Sequence, residues 1–139
     1  MQPVIKVVKL SYYYDSYPSL DNISFTVDEG DFLGIIGPNG AGKTTLFQCM
    51  LGIIGDYSGE INLFGLDIRQ NRKTLQKVGY VPQKKSVEQA FPATVEEIVS
   101  LGLIGKKSNK EAVYSAIEFV ELNAYRDKRI GELSEGQQQ

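Results

Sequence analysis

The first thirty residues hold two stretches with the character of strands, one marked by residue type and the other by apolar and polar side chains alternating with the period of two that a pleated strand imposes. Val4 to Tyr14 is dense in β-branched and aromatic residues and predicts a strand, after which Asp15-Ser16-Tyr17-Pro18-Ser19 supplies turn chemistry. In Ile23-Ser24-Phe25-Thr26-Val27 the apolar residues alternate with small polar ones, as in a half-buried antiparallel strand, and Asp28-Glu29-Gly30-Asp31 turns the chain. Phe32-Leu33-Gly34-Ile35-Ile36 does not alternate. It predicts a strand buried on both faces. Thr45 to Leu51 then reads as a helix that ends in the glycine punctuation of Leu51-Gly52-Ile53-Ile54-Gly55. Past a turn at Tyr57-Ser58-Gly59, Glu60 to Phe64 alternates as a strand and Gly65 to Thr74 makes a polar connection. Val78-Gly79-Tyr80-Val81 predicts a short strand cut off by Pro82.

Beyond Pro82 the period changes to that of a helix. Thr94-Val95-Glu96-Glu97 is a capping box that opens a helix through Ile98, Val99 and Leu101 to Gly102. Ser108-Asn109-Lys110-Glu111 opens another, with Val113, Ala116, Ile117 and Val120 on one face. In Leu133-Ser134-Glu135-Gly136-Gln137 the serine stands three residues ahead of a glutamine, a further helix start, and only one turn follows it before Gln139. A single turn is the costly nucleus of a helix with no propagation to offset it, so residues 134–139 are expected to fray.

Chemistry enters at Gly37-Pro38-Asn39-Gly40-Ala41-Gly42-Lys43-Thr44-Thr45, which fits the phosphate-binding pattern G-x-x-x-x-G-K-S/T without a gap. With glycine at about 7% of residues, the four fixed positions coincide by chance on the order of once in tens of thousands of starts. Glycines let the backbone turn so that successive N–H groups converge on phosphate oxygens at a helix start. Lys43 then reaches the β- and γ-phosphates, Thr44 offers a hydroxyl to Mg²⁺, and Thr45 adds a further hydroxyl near the phosphates. Tyr12 and Tyr14 share one face of the first strand and Tyr13 the other; an exposed tyrosine there stacks on a purine, with aromatic packing inside a small sheet as the competing use.

Composition narrows the partners. The 139 residues suit one modest domain or part of one, and a formal net charge of −2 gives no electrostatic reason for nucleic-acid binding. Cys49 is the one cysteine and falls among apolar neighbours on the helix after the glycine loop, where a buried, reduced thiol fits, as in the cytosol. No apolar stretch approaches the roughly 18 residues needed to span a bilayer, so membrane association is expected only through a partner.

Taken in order, these landmarks resemble the nucleotide-binding subunit of an ATP-binding-cassette (ABC) transporter over essentially the whole chain. Leu10-Ser11-Tyr12-Tyr13-Tyr14 is similar to the family's aromatic loop and singles out Tyr14 for adenine stacking. Gly37 to Thr45 is its Walker A, Tyr80-Val81-Pro82-Gln83 its Q-loop and Leu133 to Gln137 its signature sequence. The resemblance implies an α/β P-loop fold with an N-terminal antiparallel β-subdomain and P-loop core over 1–83, and a helical subdomain over 84–139. It implies ATP and Mg²⁺ as ligands, with Gln83 contacting the metal or the attacking water. Two subunits pair head to tail, so that Ser134, Gly136 and Gln137 of one approach the γ-phosphate held by the other, and a membrane permease is the further partner at the cytoplasmic face. Phe91-Pro92-Ala93-Thr94-Val95 and Leu101-Gly102-Leu103 resemble the zinc and manganese uptake branch.

Two departures qualify that expectation. Glu135 stands where the signature commonly has a glycine, and the Walker B aspartate, its following glutamate and the switch histidine do not occur before Gln139. The domain therefore reads as incomplete at its C-terminus, and the chain by itself is expected to bind nucleotide weakly without turning ATP over. A soluble ABC-type ATPase without a permease, and a non-catalytic nucleotide-binding fragment, are the alternatives.

Overall fold

The computed structural model describes residues 2–82, 90–104 and 109–138. Expectations that fall on Gln83, Ser108 and Gln139 lie outside them. The chain divides into two compact units, Met1–Gly79 and Tyr80–Gln139.

The first unit is a four-stranded antiparallel sheet carrying one helix. Strands β1 (Ile5–Tyr14), β2 (Tyr17–Val27), β3 (Ser58–Leu63) and β4 (Leu66–Asp67) lie in the order β2-β1-β3-β4. In β2 the predicted alternation holds, with Ile23, Phe25 and Val27 half-buried and Ser24 and Thr26 exposed. In β1 it does not. Val7 and Leu10, three residues apart, are both buried because a register shift between them, with Lys9 at φ 47°, inserts an extra residue and turns the strand back onto the core. The ladder bonds lost there are replaced by serine hydroxyls. Lys9 N–H donates to Ser24 Oγ at 2.8 Å, and Asn22 N–H to Ser11 Oγ at 2.8 Å.

The turn between the first strands is shorter than expected. Tyr14 pairs with Tyr17, so only Asp15 and Ser16 connect β1 to β2, and Pro18 lies within a strand. An edge strand accommodates that proline because its outward N–H has no ladder partner to lose. Val7, Leu10, Leu20, Ile61 and Leu63 from the sheet pack on Leu46 and Cys49 of helix α1 (Lys43–Met50) to form the core, with Tyr57 and Ile68 closing it. Cys49 is fully buried and unpaired as expected, and burial, with Asp56 adding, pushes its thiol up to about 11.

Two expected strands are absent. Residues 31–38 carry no regular structure, and Phe32 and Ile36 are 98% and 96% exposed. Residues 78–82 are equally irregular, with Tyr80 and Val81 exposed. A continuous apolar run becomes a central strand only when neighbours cover both of its faces and edges, and no strand among the described residues pairs with either run. The supposed connection from Gly65 to Thr74 instead contains β4 and a 3₁₀ turn at Arg72–Lys77, started by Asn71 Oδ1 accepting from Lys73 N–H.

At the end of β4, Asp67 accepts from the Arg69 backbone N–H at 2.8 Å and from its guanidinium at 3.3 Å. Burial alone would push the Asp67 carboxyl up, but these bonds outweigh it and hold the group below its ordinary 3.8. A carboxylate whose folded pKa is depressed stabilises the fold above its unfolded pKa and loses that contribution as the pH falls through the lower folded value. The melting difference between the natural chain and Asp67→Asn is therefore expected to be constant from pH 7 to 5 and to shrink below 3.8. Thermal melts across that range check it; a difference that widened on acidification would contradict it.

The second unit packs helix α2 (Val95–Ser100) on helix α3 (Lys110–Phe119) around Val95, Val113, Ile117, Ile130 and Leu133. The predicted capping box is present: Glu97 N–H donates to Thr94 Oγ1 at 3.2 Å and Thr94 N–H to Glu97 Oε2 at 2.7 Å. A 3₁₀ turn, Leu101–Leu103, continues α2. Helix α3 is capped by Asn109, whose Oδ1 accepts from Ala112 N–H. Its buried stripe is Val113 and Ile117 with Tyr114 beside them, while Ala116 and Val120 are exposed, so the apolar face is narrower than expected.

Candidate functional site

The glycine loop is built by two left-handed residues. Gly40 and Gly42 have φ of 83° and 80°, and Ala41 N–H closes a turn onto the Pro38 carbonyl at 3.3 Å. At Gly42 the left-handed conformation is combined with close packing. A Cβ there would collide with the backbone oxygen of Ser19 and lie 3.0 Å from the Leu20 side chain, so β2 presses directly on the junction between loop and helix. Helix α1 then begins at Lys43, two residues earlier than expected, with its first main-chain bond from Leu46 N–H to the Gly42 carbonyl at 2.8 Å.

That start leaves the N–H groups of Gly42, Lys43, Thr44 and Thr45 without acceptors among the described residues. Unpaired N–H groups at the positive end of a helix dipole make an anion site. Lys43 folds back across the loop, and its ammonium donates to the carbonyls of Gly37 at 2.7 Å and Pro38 at 2.6 Å. These are weaker acceptors than a phosphate oxygen, so the lysine is stored beside the anion site. Residues 37–41 and Thr44 are exposed, whereas Thr45 is buried and its Oγ1 accepts from Ser19 Oγ at 3.0 Å. Ser19 went unnoticed in the sequence because it sits in what reads as a turn, and no spacing rule ties it to the loop.

Magnesium fits this donor set only together with a phosphate ligand. Thr44 offers one hard oxygen, and no cluster of three acidic, histidine or cysteine side chains occurs among the described residues. An octahedral ion would have to complete its shell with phosphate oxygens and water. A hollow of about 370 Å³ opens beside the loop, with Leu20, Phe25, Leu33 and Leu46 in its wall together with Gly42 and Lys43 of the loop itself.

Tyr14 belongs to the same unit, at the end of β1. As predicted it shares a face with Tyr12, the rings meeting edge to face with centroids 4.9 Å apart, and it is half exposed. Tyr13 is equally exposed, and Tyr17, opposite Tyr14 across the hairpin, is 80% exposed.

In the second unit Ser134 caps helix α4 (Glu135–Gln138) reciprocally. Gln137 N–H donates to Ser134 Oγ at 3.4 Å, and Ser134 N–H to Gln137 Oε1 at 3.1 Å. One turn therefore forms where fraying is expected, because the cap satisfies donors at its start and buried Leu133 anchors it from the preceding residue. Glu135 and Gly136 are exposed. The segment before Ser134 is fastened to α2 by main-chain bonds, from Glu96 N–H to the Arg126 carbonyl, Val95 N–H to that of Lys128, and Ile130 N–H to that of Ala93. Arg126 also pairs with Glu96 at 3.6 Å and lies over the Tyr114 ring.

The sequence profile described as "ABC transporter" matches residues 20–139. The chain belongs to the ABC transporter family. It is 43% identical to the zinc uptake system ATP-binding protein ZurA of Listeria innocua, over 100% of this chain and 57% of that protein. It is 37% identical to the manganese transport system ATP-binding protein MntB of Halalkalibacterium halodurans, again over 100% of this chain and 57% of the relative. Among solved structures it is similar to a nucleotide-free ATP-binding cassette from an ABC transporter, with a TM-score of 0.79, 28% identity, and coverage of 99% of this chain and 61% of that one. These likenesses establish the α/β fold of ABC nucleotide-binding domains. The chain spans a little over half the length of the ABC relatives it matches. No helix among its described residues is long and apolar enough to cross a membrane.

Proposed function

We propose that the chain is the ATP-binding part of an ABC uptake system for a divalent transition metal such as zinc or manganese. The observation that carries this reading is the unbroken glycine loop leading into α1, with four N–H groups unpaired and a lysine stored beside them. Relatives named for zinc uptake and for manganese transport support the choice of solute.

In this reading Lys43 leaves its carbonyls for the β- and γ-phosphates, Thr44 and Gln83 hold Mg²⁺, and Tyr14 stacks on adenine. Ser134, Gly136 and Gln137 serve the nucleotide of a second copy, and a permease receives the motion at the cytoplasmic face of the membrane. Residues 1–139 alone bind nucleotide without hydrolysing it.

The shared site is tested by mixing two disabled subunits. Homodimers of the intact protein bearing Lys43→Ala, and others bearing Ser134→Arg, are each expected to lose ATP hydrolysis. Co-expressed heterodimers regain one whole site, because the unaltered loop of one subunit faces the unaltered Ser134 of the other. Absence of recovery in purified heterodimers would sink the composite site. Metal choice has a separate readout: cells carrying Lys43→Ala should lose uptake of zinc or manganese, and unchanged uptake of both would exclude this solute class.

A further inference from the structure

We infer that Ser19 is a positioning residue for phosphate binding, acting through the hydroxyl of Thr45; this rests on the nucleotide reading above. Ser19 touches the loop twice. Its backbone oxygen occupies the space that a Cβ on Gly42 would need, and its Oγ donates to Thr45 Oγ1 at 3.0 Å. A hydroxyl carries one hydrogen and two lone pairs. Each of the two hydroxyls can donate and accept, so Ser19 can supply the hydrogen of this bond and leave the hydrogen on Thr45 for a ligand, and among the described residues Thr45 Oγ1 donates to no other acceptor.

That free hydrogen matters because of its position. A threonine near a helix start ordinarily turns its hydroxyl onto a carbonyl one turn back. Held by Ser19, the Thr45 hydroxyl instead stays at the mouth of α1, beside the unpaired N–H groups of Gly42, Lys43 and Thr44. Accepting one bond also strengthens a hydroxyl as a donor in the next, since linked hydrogen bonds polarise each other. The chain Ser19 to Thr45 to phosphate oxygen therefore adds an aligned donor that the N–H groups alone do not supply. Its ligand class is a nucleoside polyphosphate, and the contribution is to the phosphates and not to the base.

The test is calorimetric titration of the intact protein with Mg·ADP and with inorganic tripolyphosphate, which has no base. Ser19→Ala is expected to weaken both ligands about fivefold, and Ser19→Thr, which keeps the hydroxyl, to restore them. In a Thr45→Val background Ser19→Ala is expected to change nothing further, whereas in Thr45→Ser it keeps its effect. A purely structural role would lower the melting temperature without that dependence on Thr45. Unchanged affinity in Ser19→Ala, or an equal loss in the Thr45→Val background, would overturn the relay. If Lys43→Ala abolishes binding while Ser19→Ala preserves it, the nucleotide reading stands and the relay alone fails. If the natural protein binds neither ligand, both fall.

Discussion

Lys43→Ala is expected to raise the dissociation constant for ATP roughly a hundredfold, as read by titration against the natural protein. Hydrogen bonds to charged groups contribute about 1.5–3 kcal/mol each, and an ammonium reaching two phosphates forms two. The gain is partly offset because Lys43 gives up its bonds to Gly37 and Pro38 when it turns to the ligand. Lys43→Arg should recover little of the loss, since a planar guanidinium cannot stand in for a compact point charge in a narrow loop. Retention of near-natural affinity by Lys43→Ala would mean that the helix start alone holds the anion.

Gly42→Ala is expected to cost roughly 3 kcal/mol of stability. Two penalties combine. An alanine at φ 80° pays for a left-handed backbone, and its methyl meets the Ser19 carbonyl, which as backbone within β2 cannot swing aside. For a unit of this size such a loss lowers the melting temperature by roughly 15 °C. Gly34→Ala is the control, because a Cβ there meets nothing within 4 Å; its effect should stay within about 0.5 kcal/mol. Equal melting of the two variants would show that β2 does not press on the loop as described.

The elements that were legible in the sequence are those whose cause is local. The capping box at Thr94 and Glu97, the reciprocal cap at Ser134 and Gln137, and the glycine loop each depend on residues within a few positions of one another, and each forms as its spacing predicts. The buried Cys49 was readable from its apolar neighbours. What escaped depends on distant parts of the chain. Pro18 looks like turn chemistry until the sheet order makes β2 an edge, and the bulge at Lys9 is supported by Ser24, fifteen residues away. The runs at 32–36 and 78–81 have strand composition, but a strand is a property of a sheet, and hydrogen-bonding neighbours for them are not among the described residues. Ser19 belongs with these. Its bond to Thr45 spans 26 positions and leaves no mark in local pattern.

The fastening of residues 126–130 to the start of α2 relies in part on three bonds between peptide groups, which every residue except proline can supply. The share of its strength that these bonds supply is nearly independent of which side chains occupy that stretch, whereas Ile130 in the core and Arg126 against Glu96 and Tyr114 hold it through their own. Substitutions on its exposed side chains can accumulate with the joint intact, leaving this patch free to change over generations while Ser134, a few residues further on, keeps its place within the unit. A joint made from side-chain contacts alone would have tied the two rates of change together.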